Sequence, residues 1–123
     1  MKAETVNLQQ GTQAWHEHRA RHYNASDVAA VLGLSPYKTR QQLLREKATG
    51  FVPDVDDATQ RRFDNGHEYE AIARPWAEEI IGEELYPIVI SGDMEGLPLS
   101  ASLDGLTMTQ DVAFEHKTMN ANL

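Results

Sequence analysis

The stretch SASLDGLTMTQDVAFEHKT, residues 100–118, decides how the second half of the chain folds. The segments ELYPIVIS (84–91) and PLSASLDGL (98–106) are rich in residues that favour strands, and the second leads into a turn. The segment VAFEHKT (112–118) predicts a return strand. This half of the chain is therefore predicted to form a meander of strands.

The return strand brings an acid and a lysine to the same face. Side chains alternate along a strand, so Glu115 and Lys117 are predicted on one face and Phe114 and His116 on the other. Ten residues separate Asp104 from Glu115, which is enough for a turn and a return strand. Asp104, at the end of one strand, is therefore predicted to meet Glu115 on its neighbour.

This group of residues suits metal-assisted hydrolysis of a phosphodiester. Hard cations such as Mg²⁺ take oxygen ligands, which Asp104 and Glu115 supply, and they generate a nucleophilic hydroxide near neutral pH. Lys117 could orient the attacking water or stabilise charge on phosphorus, and it would act as a base only if its pKa were depressed. The alternative is an ordinary surface ion pair, worth less than ~1 kcal/mol.

Helices are predicted in the first half of the chain. Thr12 caps a helix through about residue 22, and Thr39 caps another that Gly50 closes. Ser26 precedes the apolar run 28–32, which predicts that Ser26 is the N-cap of a short helix. Residues 51–57 are predicted to form an acidic loop.

The longest helical pattern runs from Ala58 to Ile81, and Gly82 is expected to end it. Pro75 lies within this pattern and removes a hydrogen bond, so a kink or a break into two helices is expected there. The large apolar residues recur at three- and four-residue spacing on one face of the pattern and are Tyr69, Ile72, Trp76 and Ile80.

Glu70 lies on the same helix among small residues. Gly66, Ala73 and Ala77 surround it at helical spacing, so that face can approach the sheet closely. A carboxylate in such a position is a candidate for the active site. The alternative is a surface acid paired with Arg74 at i+4.

Composition indicates one compact domain in a chain of 123 residues with 41% hydrophobic content. Helices followed by strands predict an α+β class with helices packed on a small mixed sheet. Cysteine is absent, which excludes disulfides and thiolate chemistry and fits a reducing, cytoplasmic compartment. Neither a signal peptide nor a membrane span is predicted, so no membrane partner is expected.

The net charge of −8 opposes attraction to phosphate backbones. A nuclease site itself concentrates carboxylates, however, and bound divalent metal would cancel some of that charge. Basic residues also cluster along the chain, in 19–21, 38–47 and 61–62.

Four segments in order resemble the YqaJ-like viral recombinases, the phage lambda exonuclease type, within the PD-(D/E)XK nuclease superfamily. They are AWHEHR (14–19), NASDVAAVLGLSPY (24–37), NGHEYEAIARPW (65–76), and SASLDG with FEHKT (100–118). The resemblance spans nearly the whole chain. It implies a restriction-endonuclease-like core and Mg²⁺-dependent, 5′-to-3′ hydrolysis of duplex DNA, with Mn²⁺ as a substitute metal.

The resemblance also implies a role for individual residues. Asp104 and Glu115 would be metal ligands, with the backbone carbonyl of His116 reaching the same ion. Lys117 would be the catalytic lysine, and Glu70 the helix acid near the metal.

Arg19 and Ser26 resemble residues that hold the 5′-phosphate of DNA in this family. This interpretation is favoured over capping for Ser26, and a hydroxyl at a helix N-terminus can serve an anion as well. A single-strand annealing protein is a further expected partner. A homo-oligomer is an expectation from ring-forming relatives.

The sequence departs from the family pattern in two respects. Leu103 stands where the superfamily name has proline, which the metal tolerates because it requires only the carboxylate of Asp104. The chain also ends at Leu123, where relatives continue, so a fragment lacking the C-terminal part of the domain is expected. Such a fragment would bind DNA weakly or be inactive. The alternative functions are a non-catalytic DNA-end or recombination-partner module and an acidic interaction protein that ignores DNA.

Overall fold

The computed structural model of the protein describes residues 2–50 and 56–118. Four helices are described, together with a 3-10 turn at Ala25–Asp27. The helices are α1 (Gln13–Ala20), α2 (Val28–Val31), α3 (Arg40–Thr49) and α4 (Asp57–Ile81). The strands are β1 (Glu4–Val6), β2 (Tyr23–Asn24), β3 (Tyr86–Met94), β4 (Leu97–Leu106) and β5 (Ala113–Phe114). Helices with a small, mainly antiparallel sheet agree with the predicted α+β class.

The chain divides into two compact units. The first consists of Met1–Pro53 and Ile88–Ser102, and the second of Asp54–Pro87 and Leu103–Leu123. A single domain over residues 1–123 stays a prediction. Among the described residues, none of the helices combines the length and apolar character that crossing a membrane requires.

In the first unit the strands follow the order β1-β3-β4-β2. β1 pairs antiparallel with β3, with Thr5 opposite Ile90. β2 pairs parallel with β4, with Asn24 opposite Ser100. The fully buried side chains Leu43 and Val89 supply its core, so α3 and the centre of β3 are anchored by apolar burial.

In the second unit β5 pairs antiparallel with the end of β4, with Gly105 opposite Phe114. A Cβ at Gly105 would lie 2.9 Å from the Cβ of Leu85 and 3.3 Å from that of Phe114. Only glycine therefore fits between these two side chains without a shift. This close packing fixes the backbone next to Asp104.

Local signals for helix ends in the first unit are confirmed. The Thr12 hydroxyl accepts a hydrogen bond from the Trp15 N–H and caps α1 (3.3 Å). Thr39 forms a capping box with Gln42 at the start of α3. Gly50 ends α3 in the left-handed conformation, with φ of 72°.

The predicted N-cap role of Ser26 is wrong. The Asp27 carboxylate instead accepts a hydrogen bond from the Asn24 N–H (2.9 Å), around the 3-10 turn that precedes α2. The Ser26 hydroxyl accepts a hydrogen bond from Arg19.

Residues 51–55 of the predicted acidic loop lie outside the described residues, and α4 begins at Asp57. The Asp56 carboxylate accepts a hydrogen bond from the Thr59 N–H (2.7 Å) and caps α4, so Asp57 is already helical. The helix continues through Pro75 without a break into two helices, and a kink at Pro75 stays a prediction. Gly82 ends the helix, as predicted.

The two faces of α4 differ in exposure. The residues around Glu70, including Gly66, Ala73 and Ala77, are partly buried. The large apolar residues of the other face are exposed and are Tyr69, Ile72, Trp76 and Ile80. The small-residue face is therefore the less exposed of the two, and its small side chains allow close approach.

The predicted final strand is mostly absent. β5 covers only Ala113–Phe114, and residues 115–118 form no strand. The alternation that placed Glu115 and Lys117 on one strand face was therefore the wrong reason for their proximity. Their side chains form an ion pair across one intervening residue instead.

Candidate functional site

Asp104 is the centre of the site in the second unit. It lies near the end of β4, and its Oδ2 accepts a hydrogen bond from the backbone N–H of His116 (2.8 Å). This bond ties the segment after β5 to the carboxylate. The meeting of residue 104 with the 115–117 segment is thus achieved through a backbone N–H.

Glu70 is joined to Asp104 through Arg74. The guanidinium of Arg74 pairs with Oε1 of Glu70 (2.5 Å), and its Nε donates to the backbone carbonyl of Asp104 (3.3 Å). The side chains of Glu70 and Arg74 are largely buried, so the pair is well shielded from water. Pairing with Arg74 was the alternative role for Glu70, and the structure contains that pair. Sequence reasoning missed the bond from Arg74 to Asp104.

Glu115 and Lys117 form the outer edge of this site. The Lys117 ammonium lies 2.8 Å from Oε1 of Glu115, and both side chains are exposed. Hydrogen bonding to Glu115 and the charges of Glu115 and Asp104 raise the pKa of Lys117, against a small effect of burial. Lys117 is therefore a cation in this arrangement, and the depressed pKa that a base would need is absent.

The donor atoms are of the kind that hard divalent cations prefer. Carboxylate oxygens of Asp104, Glu115 and Glu70 and the His116 carbonyl are all oxygen donors. Over residues 2–50 and 56–118, however, no three acidic or histidine side chains are grouped so that they could hold a metal. Two of the carboxylates are paired with Arg74 and Lys117. The donor chemistry fits Mg²⁺, and cation binding would exchange one or both ion pairs for metal ligation.

A second candidate site lies in the first unit, where Arg19 and Ser26 meet. Nη2 of Arg19 donates to the Ser26 hydroxyl (3.0 Å), and the guanidinium carbon lies 4.8 Å from the centroid of the Trp15 ring. The indole N–H of Trp15 donates to the Ser102 hydroxyl (2.9 Å). A guanidinium held on an aromatic face beside a hydroxyl can bind an oxyanion.

A buried ion pair supports this second site. Lys47 lies 3.3 Å from Oδ2 of Asp27 and donates to the carbonyl of Arg19 (2.9 Å). The backbone N–H and side-chain amide of Asn24 also donate to Asp27, and that amide donates to the Arg19 carbonyl. These bonds hold the Arg19 carbonyl and the side chain of Asp27, the neighbour of Ser26. Sequence reasoning missed Asp27 and Lys47, and Lys47 gave no signal that could have revealed it.

The electrostatics of this region follow from burial. Burial lowers the pKa of Arg19, and the charge of Asp27 opposes that shift. Burial raises the pKa of Asp27, but the bond from the Asn24 N–H and the charge of Lys47 outweigh it, so the pKa lies below its ordinary value. Asp27 is thus ionised, and its carboxylate forms an ion pair with Lys47. The Arg19 side chain donates to Ser26 rather than to Asp27.

Residues 14–123 match the model of the YqaJ-like viral recombinase domain. The chain belongs to this family. Membership of this family of viral recombinase domains supports a nuclease or recombination role. The match covers both candidate sites.

Curated relatives of this YqaJ-like chain include protein D345L of African swine fever virus. In the Badajoz strain it is 44% identical over 50 residues, and in a tick isolate from Malawi 42% over 50 residues. In each case the match covers 41% of this chain and 14% of the relative, so the chain spans only a small part of those proteins.

Proposed function

We propose that this YqaJ-like chain carries the site of a metal-dependent deoxyribonuclease with a PD-(D/E)XK core, acting 5′ to 3′ on duplex DNA. The observation that carries the proposal is Asp104 bonded to the His116 N–H, which ties the segment with Glu115 and Lys117 to this carboxylate, while Arg74 links Glu70 to the Asp104 carbonyl. Acids and cations linked in this way supply the groups that phosphodiester hydrolysis needs once a cation draws the carboxylates together. Family membership supports the same reaction.

Asp104, Glu115 and the backbone carbonyl of His116 would hold Mg²⁺, for which Mn²⁺ can substitute. The cation would neutralise charge on the phosphate and lower the pKa of the attacking water. Its ligands are the hard oxygens that such cations select. The bond between Asp104 and the His116 N–H keeps residue 116, which carries this carbonyl, close to the Asp104 carboxylate.

Lys117 and Glu70 act beside the metal ligands. Lys117, held protonated by Glu115, would stabilise the negative charge that builds up on the phosphate oxygens. Arg74 orients Glu70 and also contacts the Asp104 carbonyl, so these two acids are positioned through one guanidinium. Glu70 would contact the attacking water or the metal ion when its ion pair with Arg74 breaks.

Arg19 and Ser26 would bind the 5′-phosphate of the DNA. An oxyanion can accept from the guanidinium and the hydroxyl together, and this exchanges the Arg19 to Ser26 bond for two bonds to the ligand. The ion pair of Asp27 with Lys47 would hold both residues in position. Duplex DNA is therefore the proposed partner, with a single-strand annealing protein and a homo-oligomer as further proposals from the family resemblance.

A non-catalytic DNA-end-binding module is the second candidate function. The ion pairs that occupy Glu70 and Glu115 favour it, because a carboxylate paired with a cation is a weaker metal ligand. The Arg19 and Ser26 region would function in either case. Such a module would bind DNA less tightly as salt rises, and substitution of Asp104 would not change metal binding.

Calorimetric titration of Mn²⁺ separates the two candidates. The chain is expected to bind Mn²⁺, and Asp104→Ala is expected to weaken this binding at least about tenfold, because a first ligand is lost. Glu68→Ala, an exposed acid on α4, is the matched control and should bind as the wild type does. Equal binding by wild type and Asp104→Ala would refute this metal site and leave the binding module.

A further inference from the structure

Two histidine rings are stacked at the C-terminal end of α1. His18 is the residue before Arg19, and His22 follows His18 by four residues, about one helical turn. The ring centroids are 4.0 Å apart, and the ring planes differ by 14°. His18 is only 8% exposed, whereas His22 is half-buried. One ring of the pair is therefore enclosed, and the other lies against its face.

The hydrogen bonds of the two rings differ. Nδ1 of His22 lies 2.6 Å from the backbone carbonyl oxygen of His18, and a carbonyl only accepts, so this nitrogen carries a proton. The other ring nitrogen of His22 can take up a second proton without loss of that bond. Nδ1 of His18, by contrast, is buried without a hydrogen-bond partner. A charged His18 ring would leave this N–H unpaired in the interior, which is unfavourable.

The charged groups near the pair do not compensate a proton on His18. Over residues 2–50 and 56–118, no carboxylate forms an ion pair with either ring. On its own segment, the charges of His22 and Arg21 both disfavour a cation at His18. Of the elements packed near this end of α1, α3 contributes Lys47, which pairs with Asp27 of the 3-10 turn, and β2 contributes side chains that are uncharged at neutral pH.

The pair is connected to Arg19 through the backbone. The carbonyl of Arg19 accepts a hydrogen bond from the His22 N–H (3.2 Å) and another from the side-chain amide of Asn24 (3.1 Å). The same amide also donates to the His22 carbonyl (3.3 Å). Movement of His22 would therefore break bonds that hold the Arg19 backbone.

We propose that His18 and His22 form a pH-sensitive switch, in which protonation of both rings separates them and loosens the end of α1 that carries Arg19. Two cationic rings stacked 4.0 Å apart repel each other, whereas neutral or singly protonated rings keep the contact. Separation of the rings does not depend on the nuclease proposal. Its consequence for DNA rests on the proposed binding of the 5′-phosphate by Arg19.

The direction of the pH effect follows from the burial of His18. Burial, together with the charges of His22 and Arg21, lowers the pKa of His18 from its ordinary value of 6.5. As pH falls, the unfolded chain therefore binds this proton before the folded chain does. The stabilisation is complete above the ordinary pKa and is lost as pH falls through the pKa of the folded state. The switch opens on acidification.

Nuclear magnetic resonance measures the contact between the rings directly. Cross-relaxation between the ring protons of His18 and His22 is expected at about pH 7.5 and should be lost by about pH 5. The His67→Gln variant replaces an exposed histidine of α4, and as the control it should show the same loss. A ring contact that persists when both rings are protonated would overturn the switch.

Urea unfolding at the same two pH values tests whether the two rings act as a pair. Acid should raise the equilibrium constant for unfolding at least about threefold more in the wild type than in His22→Gln, because glutamine can donate to the His18 carbonyl but takes up no proton. His18→Leu should reduce the acid effect at least as much, and His67→Gln should follow the wild type. Equal acid effects in the wild type and in His22→Gln would overturn the proposal.

Binding of duplex DNA in the absence of metal tests the consequence for Arg19. Between the two pH values, the preference for a 5′-phosphorylated over a 5′-hydroxyl duplex should fall at least about threefold more in the wild type than in His22→Gln. The phosphate itself titrates at about pH 6, which affects both proteins equally. A preference that falls equally in both would overturn the link to Arg19. No preference at the higher pH would instead refute the 5′-phosphate site, and the ring contact would still decide the switch.

Discussion

The two candidate sites each contain a pair of lysine and carboxylate, and the pairs differ in burial. Lys47 and Asp27 are 3.3 Å apart, with side chains that are 14% and 11% exposed. Lys117 and Glu115 are closer, at 2.8 Å, but their side chains are 79% and 54% exposed. The shorter pair is the weaker one for stability, because water screens it and the longer pair has further hydrogen bonds. The buried pair therefore maintains structure, and the exposed pair is available to exchange partners.

Removal of the lysine from the buried pair should have the largest effect on stability. Lys47→Met leaves the Asp27 carboxylate without its cation and removes the bond to the Arg19 carbonyl. The free energy of unfolding is expected to fall by about 3 kcal/mol, since an unpaired buried charge is strongly unfavourable. Urea unfolding followed by circular dichroism measures it. A fall of less than about 1 kcal/mol in the free energy of unfolding of Lys47→Met would show that the buried pair contributes no more than an exposed one, which would contradict the comparison.

Acid should reveal the same pair through a smaller effect. The pKa of folded Asp27 lies below its ordinary value of 3.8, so the unfolded chain binds a proton first as pH falls. The stabilisation is complete above the ordinary pKa and is lost as pH falls through the pKa of the folded state. Between about pH 5 and pH 3, Asp27→Asn should therefore lose less of its free energy of unfolding than the wild type.

Asp64→Asn, an exposed acid on α4, is the control for this pH dependence and should follow the wild type. If the free energy of unfolding falls equally with pH in Asp27→Asn and in the wild type, Asp27 does not contribute to the acid sensitivity.

Removal of the lysine from the exposed pair should have the smallest effect on stability. Lys117→Met is expected to change the free energy of unfolding by less than about 0.5 kcal/mol, as for most exposed ion pairs. Urea unfolding alongside Lys47→Met measures the contrast directly. A loss as large as that of Lys47→Met would show that Lys117 is structural.

Local features of the fold could be predicted from sequence, because the chemistry that fixes them lies within a few residues. Thr12 and Thr39 cap the N-terminal ends of α1 and α3, and Gly50 ends α3, as the sequence predicts. Ser26 did not follow its local signal, because the Asp27 carboxylate accepts from the Asn24 N–H at the start of this turn. The Ser26 hydroxyl accepts from Arg19, seven residues earlier.

Features that depend on tertiary packing could not be predicted from sequence. Periodicity gave α4 two candidate inner faces, and only packing decides that the small residues near Glu70 lie inward while Trp76 is exposed. The bond from His116 N–H to Asp104 needs the strand to end at Phe114, which the alternating pattern did not indicate. The support of Arg19 by Lys47 joins residues 28 apart in sequence and leaves no local pattern.

Cleavage of a 5′-phosphorylated duplex in the presence of Mg²⁺ tests the nuclease proposal most directly. Cleavage is measured for the chain and for a version extended at its C-terminus; the extended version is expected to release nucleotides, its Asp104→Asn variant is expected to lose at least about a hundredfold in rate, and its Glu68→Gln variant should retain the rate. Unchanged cleavage in Asp104→Asn would contradict the assignment of Asp104. Salt-dependent binding of the duplex by the extended version without any cleavage would contradict the nuclease and favour the DNA-end-binding module.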